Sequence, residues 1–124
     1  MTSSKEDYLR VVLELSGKGN KIHSKDIAQE LNVSKASVSR MMGVLKNAGY
    51  ISKEKFGTVT LTERGYIVAS LILKKRRLLK DFLTDFLGVE PDIADNDACR
   101  MEHAISAETM ERLDRKLDKL TACE

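Results

Sequence analysis

The chain has 124 residues, of which 42% are hydrophobic and 32% charged, a size and composition that fit one small globular domain or a small domain with a helical extension. No apolar run is long enough to cross a bilayer, the polar N-terminus lacks a signal-peptide core, and two cysteines make no disulfide framework. We therefore expect a cytoplasmic protein.

The net charge of +2 is unevenly distributed along the chain. Residues 1–65 carry eleven Lys and Arg against seven Asp and Glu (+4), whereas residues 66–124 carry ten against twelve (−2). A basic first half suits contact with phosphates. Chance asymmetry is the alternative explanation.

The first predicted element is an amphipathic helix from about Ser4 to Ser16. Four apolar residues recur there at the i, i+3, i+4 and i+7 spacing of one helix face: Tyr8, Val11, Val12 and Leu15. A second, short helix is predicted to begin at a Ser24 cap, and a third at a Ser34 cap after a tight turn at Asn32 and Val33.

A hairpin with a basic tip is predicted next. Two short β-prone runs, Tyr50–Ile51 and Thr58–Leu61, flank the polar loop from Lys53 to Gly57. Thr62 then caps a long helix that reaches about Leu87.

The rest of the chain is predicted to be helical. One helix begins at Glu90–Pro91, and another is capped by Ser106. The expected fold is therefore mainly α with a small β-hairpin. We divide it into a winged helix-turn-helix at residues 1–62 and a helical domain at residues 63–124.

The first-half order of helix, short helix, tight turn, helix and basic hairpin is that of a winged helix-turn-helix, whose third helix lies in the major groove of DNA. The candidate DNA-binding residues are Ser34, Lys35, Ala36, Ser37, Ser39 and Arg40 on this helix and Lys53 and Lys55 on the hairpin. Arginine can be bidentate to guanine, whereas serines and lysines suit phosphates. A solvated helix face on a protein-interaction module is the alternative.

A possible metal site lies on the helix after Pro91. Cys99, Glu102 and His103 are spaced i, i+3 and i+4, so one face presents a thiolate, a carboxylate and an imidazole. These ligand types suit a first-row transition metal. On spacing alone, a half-buried thiol beside an exposed Glu–His pair is the alternative. An enzyme is not expected, because no group orients Cys99 and His103 as nucleophile and base and no oxyanion site is evident.

The sequence resembles the diphtheria toxin repressor family, the iron- and manganese-dependent repressors, in a two-domain form without the C-terminal barrel domain. The resemblance covers nearly the whole chain. Its most specific parts are residues 6–10, 34–40, 61–65, 83–88 and 97–103. It implies a metal-responsive repressor of metal uptake or homeostasis genes. Such a repressor is a homodimer that binds a near-palindromic operator in double-stranded DNA, with no membrane and no small organic substrate as partner.

The resemblance also implies the metal ligands. The positions of Cys99, Glu102 and His103 match the primary metal site of the family, which a residue near the start of the first helix completes. That residue is Asp7 in this chain. Fe(II) or Mn(II) is the implied ion, and the ligand set also allows Co(II) or Zn(II).

The sequence departs from the family at a second metal site. The positions concerned are Arg10, Arg76 and Lys80, with Asp95 available as a carboxylate nearby. Because Arg and Lys are poor metal ligands, we expect one metal per subunit, with the Arg76 cation replacing the second ion. The alternatives are an Arg76 that extends to solvent and a retained second metal. For the whole protein, the alternatives are a winged-helix regulator without metal control and a dimeric protein-interaction adaptor.

Overall fold

The computed structural model describes residues 3–19, 21–54 and 57–122. These residues form six α-helices: α1 (Ser3–Ser16), α2 (Ser24–Leu31), α3 (Lys35–Asn47), α4 (Glu63–Asp81), α5 (Pro91–Glu102) and α6 (Ala107–Ala122). They also form three short strands: β1 (Ile22–His23), β2 (Ile51–Lys53) and β3 (Thr58–Leu61). The mainly helical fold predicted from the sequence is confirmed.

The chain divides into two compact units, Met1–Ile72 and Leu73–Glu124. This division falls inside α4, whereas the predicted domain boundary, between residues 62 and 63, falls at the start of that helix. The compact units are groups of residues that lie close together in space. The predicted boundary follows the order of helices and strands along the chain. The boundary at residue 62 stays a prediction.

Helix starts follow the predicted caps with one exception. Three caps are confirmed, each by a backbone N–H that donates to the hydroxyl oxygen three residues earlier: Ser37 to Ser34 at 3.1 Å, Gly65 to Thr62 at 3.0 Å and Thr109 to Ser106 at 3.2 Å. The predicted Ser24 cap is wrong. His23 is the capping residue of α2, and its N–H donates to the Asp26 carboxylate at 2.9 Å. A carboxylate three residues inside a helix is well placed for this bond.

The predicted hairpin is confirmed, and a third strand extends it. Strand β3 lies between β2 and β1 in an antiparallel sheet, with Ile22 opposite Val59 and His23 opposite Thr58. No sequence pattern predicts β1, because a strand of two residues is too short to show an alternation of apolar and polar residues.

The core of the first unit is built from α1, α2, α3, the sheet and the start of α4. Its most completely buried side chains are Leu9, Val12, Ile27, Val38, Leu45 and Val59. Burying each such side chain contributes about 1.5–3 kcal/mol relative to leaving it exposed. Because Val38, Met42 and Leu45 anchor one face of α3 in this core, the opposite face is directed to solvent.

The second unit has a separate core of Leu79, Leu83, Ala94, Ala98 and Met110. The long helix ends near Leu87 as predicted, but its last part, Phe82–Phe86, is a π-helical turn. None of the helices in the described residues is long and apolar enough to cross a membrane.

Candidate nucleic-acid interface and metal centre

The α2–α3 turn sets the direction in which α3 leaves the first unit. Asn32 closes α2 in the left-handed conformation, with φ of 55°, which asparagine tolerates better than most residues. The Val33 N–H then donates to the Ala28 carbonyl at 3.1 Å, a bond typical of a helix end that stops in this conformation.

The outer face of α3 carries the residues predicted to contact DNA. Five of the six are exposed: Ser34, Lys35, Ala36, Ser39 and Arg40. Ser37 is half-buried, and its hydroxyl accepts a 2.9 Å hydrogen bond from Ser34. Ser37 is therefore engaged at the start of the helix, whereas Arg40 is presented to solvent.

A shallow hollow of about 400 Å³ adjoins the start of α3 and is lined by His23, Ser24, Lys25, Lys35, Lys53 and Gly57. Its three lysines come from α2, α3 and β2. Three cations around one concave surface raise the local concentration of anions, and they fit the phosphates of a nucleic acid. Lys53 is exposed as predicted, and Lys55 lies outside the described residues.

Sequence reasoning missed Lys25 and His23 as members of this surface. A histidine in a polar loop before a helix is expected to be a solvated surface residue, but His23 is half-buried and caps α2. Lys25 had a weak signal, because it follows the start of a helix in a basic part of the chain. Only the folded arrangement brings it to the same hollow as Lys35 and Lys53.

In the second unit, the end of α5 brings Cys99, Glu102 and His103 together. Their ligand atoms lie within 4.8 Å of one another. Metal–ligand bonds of about 2.0–2.3 Å allow ligand atoms on one ion to be up to about 4.6 Å apart. Small side-chain adjustments would therefore let all three bind a single ion. The donor set of thiolate, carboxylate and imidazole fits a divalent transition metal.

Glu102 is the most deeply placed of these side chains, with 1% exposure. His103 Nε2 lies 3.4 Å from Glu102 Oε1. A carboxylate held away from water is stable in its charged form only beside cations or hydrogen-bond donors. The position of Glu102 therefore favours a cation or a hydrogen-bond donor beside its carboxyl group.

Arg76 supplies positive charge from α4. Its Nη2 donates to Asp95 Oδ1 at 3.2 Å, and its side chain is 16% exposed. Burial acts to lower the pKa of Arg76, but the negative charges of Asp95, Cys99 and Glu102 outweigh it, so the pKa is raised above its ordinary value. The guanidinium therefore stays charged and lies within the electrostatic field of Asp95, Cys99 and Glu102. Lys80, one turn further along α4, is half-buried.

Asp7 and Arg10 lie on α1 in the first unit, both half-buried. Arg10 is 4.0 Å from the Asp7 carboxylate and 3.0 Å from that of Glu14. The guanidinium thus spans two carboxylates on one helix face. Asp7 as a fourth metal ligand stays a prediction from the resemblance.

Both parts of the sequence match models of one protein family. Residues 1–59 match the N-terminal DNA binding domain of the iron dependent repressor family. Residues 62–124 match its metal binding and dimerisation domain.

Individual relatives agree with this match. An uncharacterised HTH-type transcriptional regulator of Methanocaldococcus jannaschii is 38% identical over 120 residues, 96% of both chains. The diphtheria toxin repressor of Corynebacterium efficiens is 30% identical over 121 residues, covering 98% of this chain and 53% of that one. The structure of the manganese regulator SloR superposes with a TM-score of 0.83 at 38% identity, covering 95% of this chain and 55% of that one.

The lengths of these relatives differ. This chain spans about half the length of the Corynebacterium repressor and of the manganese regulator. It spans nearly the whole length of the archaeal regulator.

Proposed function

Because the chain belongs to the iron-dependent repressor family, we propose that it is a metal-responsive transcriptional repressor of metal uptake or homeostasis genes. It acts as a cytoplasmic homodimer on a near-palindromic operator and is activated by a divalent transition-metal ion bound at the primary site. The observation that carries this proposal is the convergence of Cys99, Glu102 and His103 within 4.8 Å on one helix end.

The metal site consists of Cys99, Glu102 and His103, with Asp7 as the fourth ligand. Fe(II) or Mn(II) is the expected ion, and Co(II) and Zn(II) suit the same ligands. A bound dication would be the Lewis acid that neutralises the anionic ligands. A ligand that binds one arrangement of a protein more tightly than another shifts the population toward that arrangement. Metal binding is thereby coupled to DNA binding.

The DNA surface consists of the exposed face of α3 and the three-lysine hollow. Arg40 is the candidate for reading a base, because it is an exposed arginine on the helix that would enter the major groove. Lys25, Lys35 and Lys53 are suited to the phosphate backbone. A homodimer presents two such surfaces, so its operator is expected to have two-fold symmetry.

The test is selection of binding sites from random double-stranded DNA with Mn(II), Fe(II), Co(II) or Zn(II), and with chelator. We expect a near-palindromic DNA sequence to be enriched when the activating metal is present. Enrichment that is the same with chelator would indicate a winged-helix regulator without metal control. Equal affinity for selected and random DNA under every condition would indicate a dimeric adaptor.

Arg40→Ala is expected to weaken binding to the selected operator by about 1–3 kcal/mol, because the substitution removes bidentate hydrogen bonds to a base. Binding to random DNA should change much less. Arg77→Ala, which removes an exposed arginine from α4, is the matched control. The measurement is fluorescence anisotropy with both DNAs at fixed salt. An equal reduction on both DNAs would assign Arg40 to the phosphates instead.

Lys25→Ala is expected to weaken binding to operator and random DNA alike, because a lysine–phosphate interaction carries no sequence information. The slope of the logarithm of affinity against the logarithm of salt concentration should become shallower by about one for each phosphate that the protein no longer neutralises. Lys116→Ala, an exposed lysine of α6, is the control. An unchanged slope for Lys25→Ala would show that the hollow does not contact the DNA phosphates.

A further inference from the structure

One face of α5 carries a further carboxylate, Asp95, beside the proposed ligands Cys99 and Glu102. Asp95, Cys99 and Glu102 follow one another at i, i+4 and i+7, which places them along one stripe. Arg76 reaches this stripe from α4, bonded to Asp95 and within the field of Cys99 and Glu102. The stripe thus has a cation of its own before any metal binds.

We propose that the Arg76–Asp95 pair is a fixed cation–carboxylate unit that occupies the place of a second metal ion, so that each subunit binds one ion at Cys99, Glu102 and His103. The inference rests on the proposed metal site and adds its stoichiometry. Asp95, whose carboxylate accepts from Arg76 at 3.2 Å, is a partner of the guanidinium and not a metal ligand.

The burial of the arginine decides between this role and a side chain that extends to water. A snorkelling arginine buries its methylene groups and leaves the guanidinium in solvent. Arg76 has a side-chain exposure of 16%, and its Nη1 atom is enclosed by protein. Asp95 is more accessible, at 45%. The charged end of Arg76 is therefore largely withdrawn from water and is bonded to Asp95.

The same arrangement disfavours a second divalent ion for two reasons. A guanidinium has no lone pair to offer a metal, and its positive charge repels a cation placed beside it. A guanidinium also holds a carboxylate with directional hydrogen bonds and needs no ion from solution. Asp95 is thereby neutralised whether or not metal is present.

The experiment is metal stoichiometry and affinity of the full chain with Mn(II) and Co(II), by titration calorimetry and elemental analysis after gel filtration. Wild-type protein is expected to bind one ion per subunit. Two tightly bound ions per wild-type subunit would overturn this inference but leave the proposed metal response standing. No bound ion would refute the proposed metal site itself.

Two variants of Arg76 test its role directly. Arg76→His replaces the cation with a ligand and is expected to bind a second ion at least tenfold more weakly than the first. A folded Arg76→His protein that saturates at one ion would contradict the proposal. Should that variant not fold, Arg76→Gln removes the charge and leaves a shorter polar side chain in its place.

Arg76→Gln is expected to bind the first ion about tenfold more tightly, because the ion no longer meets a fixed positive charge. Equal or weaker affinity would contradict the proposal. Arg100→Gln is the matched control, since Arg100 lies on α5 but is 78% exposed and bonded to Asp97. Its stoichiometry and affinity should equal those of the wild type. Binding of Co(II) also gives a thiolate absorption band, which should persist in every variant that retains Cys99 as a ligand.

Discussion

Glu102→Gln is expected to lower the affinity for a divalent metal ion at least about a hundredfold. Removing a residue that only hydrogen-bonds to a metal ligand typically lowers the affinity about 10–100-fold, and loss of a ligand itself should cost more. The substitution preserves the shape of a side chain that is 1% exposed. It replaces the proposed carboxylate ligand by a neutral amide, so the electrostatic attraction to the dication is lost. Titration calorimetry with Mn(II) and Co(II) measures the effect, and His103→Ala should show a comparable reduction.

Loss of metal binding must be separated from loss of folding. A ligand that binds only the folded state raises the melting temperature. It adds about 2.7 kcal/mol to the free energy of unfolding when the free ligand concentration is one hundred times the dissociation constant. The wild type should therefore show a metal-dependent shift that Glu102→Gln lacks. Asp97→Asn, on the same helix but bonded to the exposed Arg100, should retain the shift. The ligand assignment is wrong if Glu102→Gln and His103→Ala both bind metal like the wild type.

The pH dependence of metal binding supplies a second check. Cys99 and His103 must both be deprotonated to ligate, so bound metal displaces protons. Affinity should therefore fall as the solution is acidified, and the heat of binding should vary with the ionisation enthalpy of the buffer. The same series on His103→Ala should show a weaker pH dependence, because one proton-releasing group has been removed.

Patterns confined to one element were readable from the sequence. The α1 stripe is confirmed, with Tyr8, Val11 and Val12 buried. The spacing of Cys99, Glu102 and His103 also needed only the helical repeat to place them on one face. Their convergence within 4.8 Å follows from that repeat.

Features that join distant segments were not readable. Strand β1 exists because Ile22 pairs with Val59, and no local pattern records such a pairing. The three-lysine hollow likewise combines residues from α2, α3 and β2. The π-helical turn at Phe82–Phe86 continues α4 without a proline or glycine to mark it. For β1 and the hollow the deciding interaction is tertiary, and nothing in the local sequence marks the π-helical turn.

Gly65→Ala is expected to destabilise the first unit by about 3 kcal/mol or more, at the upper end of the effects of inserting a methyl group into a packed site. A β-carbon at Gly65 would lie 1.8 Å from the carbonyl oxygen of Tyr50 and 2.8 Å from its carbonyl carbon. Both are backbone atoms, so no side-chain rotation relieves the overlap.

The backbone at Tyr50 is held on both sides. Its N–H donates to the Leu45 carbonyl at 3.0 Å, and its carbonyl accepts from the Thr62 N–H at 3.0 Å. Moving it away from Gly65 would therefore break the turn between α3 and β2 or the start of α4. Since α3 carries the proposed DNA-binding face and β2 belongs to the hairpin beside it, the variant should lose DNA affinity together with stability.

Thermal unfolding followed by circular dichroism measures the effect, and a decrease of roughly 12 °C or more is expected for a unit of this size. Gly43→Ala is the matched control, because it adds the same methyl group inside α3, where a β-carbon meets nothing within 4 Å. Alanine there should stabilise the helix by about 0.5–1 kcal/mol. A Gly65→Ala protein that melts within about 2 °C of the wild type would show that the close approach of α4 to Tyr50 is not maintained in solution. The opposite signs expected for the two variants separate this steric effect from the general preference of helices for alanine.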